Sequence, residues 1–129
     1  MSPMSQYGML TLDIGIGFAV SRCLLGFPQK CNVIILGRDK EALQKLQVDH
    51  LDQVRSLAGD FSDFSLAQKA VELAVSAFGG LDGLVVNHGT LGQVTKIADC
   101  DISDFQNTMD VNFISAVALV SALAEHCHH

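Results

Sequence analysis

The sequence predicts an α/β fold built on a doubly wound parallel sheet, and two observations support this prediction. Short apolar runs such as residues 33–36 and 84–86 alternate at least three times with longer segments of helical period. Such alternation is typical of parallel strands covered by helices on both faces. With 129 residues and 49% apolar composition, the chain can bury the core of one domain. Because crossovers between parallel strands are right-handed, we expect about four strands in the order 3-2-1-4 and about four helices.

The predicted strands differ in how clearly the sequence marks them. Residues 33–36 and 84–86 are continuous apolar runs that end at Gly37 and Asn87, which is typical of central strands. Residues 54–58 form a weaker run. Residues 7–12 are poor in β-branched residues and include a glycine, yet they stand where the first strand of such a fold is needed.

The first two helices are predicted from apolar residues at spacings of three and four. Residues 16–24 carry the first apolar face, and Gly26 followed by Pro28 supplies its end. Asp39 can cap a second helix, whose apolar face is Ala42, Leu43 and Leu46.

The last two helices are longer. Asp63 or Ser65 can cap the third, and Gly79 can end it. Asp101, with Asp104 three residues later, predicts the start of the fourth, which continues nearly to the C-terminus. Its apolar face comprises Ile102, Phe105, Met109, Phe113, Ala116, Val117, Val120 and Leu123.

Composition excludes several functional classes. The net charge of −6 and the pI near 5.1 argue against a nucleic-acid partner. The longest apolar stretch, residues 111–124, is interrupted by polar residues, so we expect no membrane span. The cysteines have no CxxC spacing and the N-terminus does not resemble a secretory signal, which favours a reducing, cytoplasmic location. We predict no metal site, because adjacent residues in the tail 126–129 cannot readily close a tetrahedral one.

Two segments suggest that the protein binds phosphate groups. Gly15 and Gly17 stand where a strand turns into a helix, where backbone N–H groups and the positive helix end can approach a phosphate. A glycine pair that merely permits close packing explains them equally well. Arg38 ends the next strand, where a guanidinium can pair with a ribose 2′-phosphate and so favours NADP(H). The alternative is a solvated arginine before a helix cap.

Two further segments end strands at the same expected edge. Asp60 with its neighbouring backbone could bind an adenine edge, and capping of the next helix by Asp63 is compatible with that role. Residues 87–89 follow the central strand at the topological switch point, where open α/β sheets bind ligands. His88 there could act as a general base, although a lone loop histidine is more often a bystander.

Taken together, these segments resemble the short-chain dehydrogenase/reductase family from about Thr11 onward. The residues 15–19, Gly-Ile-Gly-Phe-Ala, look like the end of the family's TGxxxGIG turn, and Asp60-Phe61 looks like its adenine-contacting acidic pair. Residues 78–82 followed by 87–89 look like the lead into the family's N-A-G motif. The family's helix-borne asparagine falls on Asn112.

The resemblance implies a Rossmann-like domain with an NAD(P)(H)-dependent carbonyl or alcohol oxidoreductase ancestry, NADP(H) being preferred over NAD(H). It implies that Asn112 holds a water in a proton relay. It also implies a cofactor lining of Gly15, Ile16, Gly17, Arg38, Asp60, Phe61, Asn87 and Gly89.

The sequence also departs from the family pattern. The first glycine of the turn is missing, since Leu12 stands in its place after Thr11. The family's YxxxK pair is absent, because the only tyrosine is Tyr7. We therefore expect residues 1–129 to form one truncated NAD(P)-binding domain that is inactive alone. Its open sheet edge and last helix would favour self-association or a partner chain.

Two other hypotheses remain open. One is a non-catalytic nucleotide-binding or protein-interaction module that uses the same fold. The other is a flavodoxin-like receiver or carrier domain, which needs an acidic cluster and a fifth βα unit that the sequence does not clearly supply.

Overall fold

The computed structural model describes residues 7–11, 16–26 and 31–126, and four strands in these ranges form one parallel sheet. The strands are β1 (Tyr7–Thr11), β2 (Asn32–Gly37), β3 (Val54–Ala58) and β4 (Gly83–Val85). β1 pairs with β2 and β4, and β2 pairs with β3. The order is β3-β2-β1-β4, which confirms the predicted order. β4 starts and ends one residue earlier than the apolar run predicts.

Helices connect the strands at the predicted places. They are α1 (Ile16–Leu25), α2 (Lys40–Asp49), α3 (Ser65–Phe78), α4 (Ile102–Met109) and α5 (Ser115–His126). A π turn, Asp110–Ile114, joins α4 to α5, and a short 3₁₀ turn, Ile97–Asp99, precedes α4. The sequence predicts one uninterrupted last helix, and the structure shows one continuous helical segment that contains this π turn.

Three of the predicted helix boundaries have the expected chemistry. The Asp39 carboxylate accepts a hydrogen bond from the Ala42 N–H at 3.1 Å, which caps α2. Gly79 ends α3 with a φ of 85° and donates its N–H to the Val75 carbonyl. The Asp101 carboxylate accepts from the Ser103 N–H at 2.9 Å and begins α4.

Two capping predictions need correction. The N-cap of α3 is Phe64, and the Asp63 carboxylate instead forms a turn just before it, accepting from the Ser65 N–H at 3.1 Å. Asp104 does not complete a capping box with Asp101. Its carboxylate accepts from the Gln93 N–H at 3.0 Å, so it holds the loop before α4 rather than the helix terminus.

The core lies on both faces of the sheet because the side chains of β2 alternate. Val33 and Ile35 pack with α1 and α2, whereas Ile34 and Leu36 pack with α3 and α5. All four side chains are fully buried. β2 therefore anchors a sheet covered by helices on both sides, as predicted for a doubly wound fold.

The apolar face predicted for the last helix is largely exposed. Phe105, Phe113 and Val120 are each more than half exposed, and so is Val117. The helical segment Ile102–His126 is 25 residues long and apolar enough to cross a membrane by length and composition alone. That finding differs from the sequence argument, which considered only residues 111–124. Core helices of soluble proteins meet the same criterion, and Leu119 and Ala122 of this segment pack against α3.

Candidate functional site

The loops that follow β2, β3 and β4 lie at one edge of the sheet, because parallel strands all end on the same side. The loops after β2 and β3 are joined directly: the Gly59 N–H donates to the Gly37 carbonyl at 3.0 Å. This bond fixes Arg38 and Asp60 side by side at the ends of neighbouring strands.

The glycine turn is described only in part. Gly15 lies outside the described residues, while Ile16 and Gly17 form the first residues of α1. Gly17 is buried and its carbonyl accepts from the Ser21 hydroxyl at 2.8 Å, whereas Ile16 is 73% exposed. The buried Gly17 agrees with a close-packing role, and its place at the helix N-terminus is also the one that a phosphate would approach.

The electrostatics of the β2 and β3 loops depend on Asp60. The Ser62 N–H and hydroxyl both donate to its carboxylate, at 2.9 and 2.8 Å. These two hydrogen bonds are the main reason why the pKa of Asp60 lies below its usual value. The positive charge of Arg38 lowers the pKa further. Asp60 is therefore ionised near neutral pH and close enough to Arg38 to sense its charge.

Phe61 lies in a different environment from the one that its predicted role implies. Its side chain is 4% exposed and belongs to the core against α3 and α5. Its ring stacks on His88, with centroids 3.8 Å apart and planes 2° from parallel. A contact with adenine at this position would come from the Phe61 backbone rather than from its ring.

Asn112 lies in the π turn and faces the loop after β4. Its Oδ1 accepts from the Thr90 N–H at 2.7 Å, and its Nδ2 donates to the Thr90 carbonyl at 2.7 Å. The side-chain amide thus pairs with both backbone groups of Thr90, as a neighbouring strand would. This clamp accounts for the asparagine on a mostly apolar helix, and it leaves a role in a proton relay as a prediction.

Asn87 and Gly89 flank His88 in the loop that Asn112 holds. Asn87 is half-buried two residues after the end of β4, and Gly89 is exposed. A Cβ built on Gly89 would lie 3.4 Å from Asn112 Oδ1, tighter than most such contacts. Glycine at this position therefore keeps open a narrow approach to the backbone, which fits the close passage of a flat ligand.

Sequence reasoning missed a polar cluster behind the loop. His88 Nε2 lies 3.0 Å from the Val111 carbonyl and 2.6 Å from the Ser115 hydroxyl. Ser115 itself donates to the Val111 carbonyl at 2.6 Å. Nothing in the sequence pattern pairs residues 88 and 115, although a buried serine on an apolar helix face was a signal worth following.

Among residues 7–11, 16–26 and 31–126, no three histidine, cysteine or acidic side chains are grouped to hold a metal ion. The loops after β2, β3 and β4 instead offer a cation, a carboxylate and backbone groups beside a glycine. Such a set suits a ligand that combines a phosphate, a sugar and flat rings.

The chain is similar in sequence and in structure to proteins of one family. The family model for short chain dehydrogenase matches residues 11–128. An uncharacterized oxidoreductase from Schizosaccharomyces pombe is 33% identical over 113 residues, which is 87% of this chain and 44% of that protein. A short chain dehydrogenase/reductase from Saccharomyces cerevisiae superposes with a TM-score of 0.88 at 27% identity, covering 95% of this chain and 49% of the other.

L-Sorbose reductase from Gluconobacter frateurii, whose structure was solved with NADPH and L-sorbose, shares the fold with a TM-score of 0.80. Its identity is 24% over 95% of this chain and 47% of the other. The chain belongs to the short chain dehydrogenase family. It spans about half the length of the relatives that it matches.

Proposed function

We propose that the chain is the cofactor-binding half of an NAD(P)(H)-dependent oxidoreductase that transfers hydride between a nicotinamide and a carbonyl or alcohol. The observation that best supports this proposal is that Arg38, Asp60 and the loop of residues 87–90 lie at one edge of a parallel sheet. Family membership supports the dinucleotide, and the oxidoreductase among its relatives supports the reaction class.

The preference for NADP(H) over NAD(H) is proposed from Arg38. Its guanidinium follows β2 and is exposed, at the position where a ribose would lie. A guanidinium can form paired hydrogen bonds with a phosphate, which a free 2′-hydroxyl cannot match. The NADPH complex of L-sorbose reductase shows that this fold accommodates the phosphorylated cofactor.

Each part of the edge has a defined binding task in this proposal. Asp60, held ionised by Ser62, accepts from the adenosine portion, and Arg38 neutralises the 2′-phosphate. The start of α1, with Ile16 and Gly17, directs backbone N–H groups at the pyrophosphate, and the sequence adds Gly15 just before it. Asn87 and Gly89 border the flat rings, and Asn112 fixes that border through Thr90. When bound, the cofactor supplies the hydride.

The 129-residue polypeptide is proposed to bind cofactor without turnover by itself. Its sequence has one tyrosine, Tyr7, and the residue four positions later is Thr11 rather than a lysine. A phenol assisted by a lysine, which the family uses to move the substrate proton, is therefore not supplied by this polypeptide. We propose a cytoplasmic location, because the four cysteines of the sequence show no CxxC spacing.

Calorimetry with NADPH and NADH tests the proposal, using Arg38→Ala and the control Arg22→Ala, which removes an arginine from the last turn of α1. We expect Arg38→Ala to weaken NADPH binding roughly tenfold or more, as loss of charge-assisted hydrogen bonds implies, and to leave NADH within about threefold. The control should change neither. Equal losses for both cofactors would contradict the preference, and no binding by the folded wild-type chain would refute the function.

A second candidate is a non-catalytic module that joins a partner through its apolar surface. Two observations favour it. Phe105, Phe113, Val117 and Val120 are exposed on the last helical segment, and β4 is a terminal strand of the sheet within the described residues. We propose a second copy of this chain as the occupant, because an apolar face of this kind is complementary to itself under two-fold symmetry.

A further inference from the structure

The His88 cluster connects three segments that are distant in sequence. His88 follows β4, Phe61 follows β3, and Val111 and Ser115 belong to the π turn and the start of α5. The imidazole stacks on Phe61 at 3.8 Å on one side, and its Nε2 lies 3.0 Å from the Val111 carbonyl. Ser115 is 3% exposed, so this polar contact is made inside the protein.

The π turn explains why the Val111 carbonyl is available to His88. In an α-helix the Ser115 N–H would donate to the carbonyl four residues back, which is that of Val111. In this structure it donates to the Asp110 carbonyl, five residues back. The Val111 carbonyl then accepts from the Ser115 hydroxyl at 2.6 Å and faces His88 Nε2.

The place of the hydrogen on the His88 ring follows from its two polar neighbours, the Val111 carbonyl and the Ser115 hydroxyl. A carbonyl oxygen has no hydrogen, and the Ser115 hydroxyl directs its own hydrogen at that oxygen. The hydrogen must therefore be on His88 Nε2 for the contact with Val111 to be attractive. With the hydrogen on Nε2, His88 donates to the Val111 carbonyl and links the loop to the π turn, which is a different role from that of a general base facing a substrate.

We propose that His88 is a positioning residue that sets the place of the cofactor-facing loop, residues 87–90, relative to the π turn. Two links join the same two segments: His88 to Val111, and Asn112 to Thr90. The loop residues of the two links, His88 and Thr90, lie on either side of Gly89. The consequence for cofactor binding rests on the proposed function, whereas the link itself does not.

The test compares His88→Gln with His88→Asn. The glutamine amide nitrogen lies about as far from the backbone as imidazole Nε2, so glutamine can still donate to the Val111 carbonyl, whereas asparagine is one carbon too short. His50→Asn, at the C-cap of α2 far from the cluster, serves as the matched histidine control. Each variant is titrated with NADPH and with adenosine 2′,5′-bisphosphate, which reaches only the Arg38 and Asp60 portion of the site.

We expect His88→Asn to weaken NADPH binding roughly tenfold, the loss that one buried hydrogen bond implies, and His88→Gln to recover most of it. Binding of adenosine 2′,5′-bisphosphate should differ less than about twofold between the two variants, because both lose the stack on Phe61 beside Asp60 and they differ only in the link to the π turn. Equal NADPH affinities for the two variants, or equal losses for both ligands, would overturn the proposal.

Hydrogen exchange in the absence of ligand provides a second measurement. His88→Asn should speed exchange of the Thr90 amide at least about fivefold, with little change at Ile35 in the central strand, and His88→Gln should restore protection. An equal change at Ile35 would indicate a general loss of stability and contradict the proposal. If the wild-type chain fails to bind NADPH, the proposed function fails, and the exchange of the Thr90 amide still decides whether His88 positions the loop.

Discussion

At the scale of the residue, the hydrogen bonds of Asp60 matter more for its pKa than its charged neighbour does. Ser62 donates twice to the carboxylate, and Arg38 adds a smaller electrostatic effect. We predict that Ser62→Ala raises the pKa of Asp60 more than Arg38→Ala does. Carbon-13 NMR titration of the Asp60 carboxyl measures both changes, and a larger shift in Arg38→Ala would contradict the stated order of causes.

The direction of the pKa shift fixes its effect on stability. The folded-state pKa of Asp60 lies below its ordinary value of 3.8, so its contribution is fully present above that value and is lost as pH falls through the lowered pKa. Asp60→Asn should therefore flatten the acid limb of the stability curve below about pH 4. Because the group is exposed, solvent screening keeps this effect small.

At the scale of the element, two glycines provide a matched test of backbone conformation. A Cβ built on Gly79 or on Gly83 would meet no atom within 4 Å, but only Gly79 has a positive φ, of 85°. Gly79→Ala should therefore destabilise the protein by about 1 kcal/mol through backbone strain alone, while Gly83→Ala in β4 should be close to neutral. Urea denaturation measures both, and equal losses would show that the left-handed conformation at the end of α3 is not the cause.

The strands and helices also show which structural features could be predicted from the sequence and which could not. Alternating apolar runs and the right-handed crossover rule were sufficient for the strand order, and Asp39, Gly79 and Asp101 marked helix boundaries correctly. The π turn was missed, because its residues keep helical propensity and only the hydrogen-bond register changes. The pairing of His88 with Ser115 joins positions 27 apart, which no local period records.

Motif resemblance predicted that the proposed site residues share one edge of the sheet but did not give their contacts. Arg38 and Asp60 lie at neighbouring strand ends, as the motifs implied. The Phe61 ring is in the core, and the Asn112 amide is bonded to Thr90. Side-chain direction depends on packing between distant segments, so it could be settled only in three dimensions.

At the scale of the whole molecule, we expect the exposed face of the last helical segment to control association. We predict that the chain self-associates as its concentration rises and that Val117→Glu, which places a charge on that face, shifts it towards the monomer. Val48→Glu is the control, because Val48 is also an exposed valine, 66% against 51% for Val117, but lies on α2. Sedimentation equilibrium measures the effect, and a wild-type chain that stays monomeric at every concentration would contradict it.

The π turn has a further consequence for the surface that the last helix presents. A π turn takes up about one more residue than an α turn, so the sequence pattern shifts by one position, about 100° on a helical wheel, across it. Positions before and after the turn therefore belong to two helical wheels with different phases, and the buried set that begins at Val111 continues through Ser115, Leu119 and Ala122. Deleting one residue within Asp110–Ile114 would restore a single phase: α5 would keep the same stripe towards α3, while Asn112 would lose its place opposite Thr90. The extra residue thus serves the loop contact of Asn112 without changing the face that α5 buries.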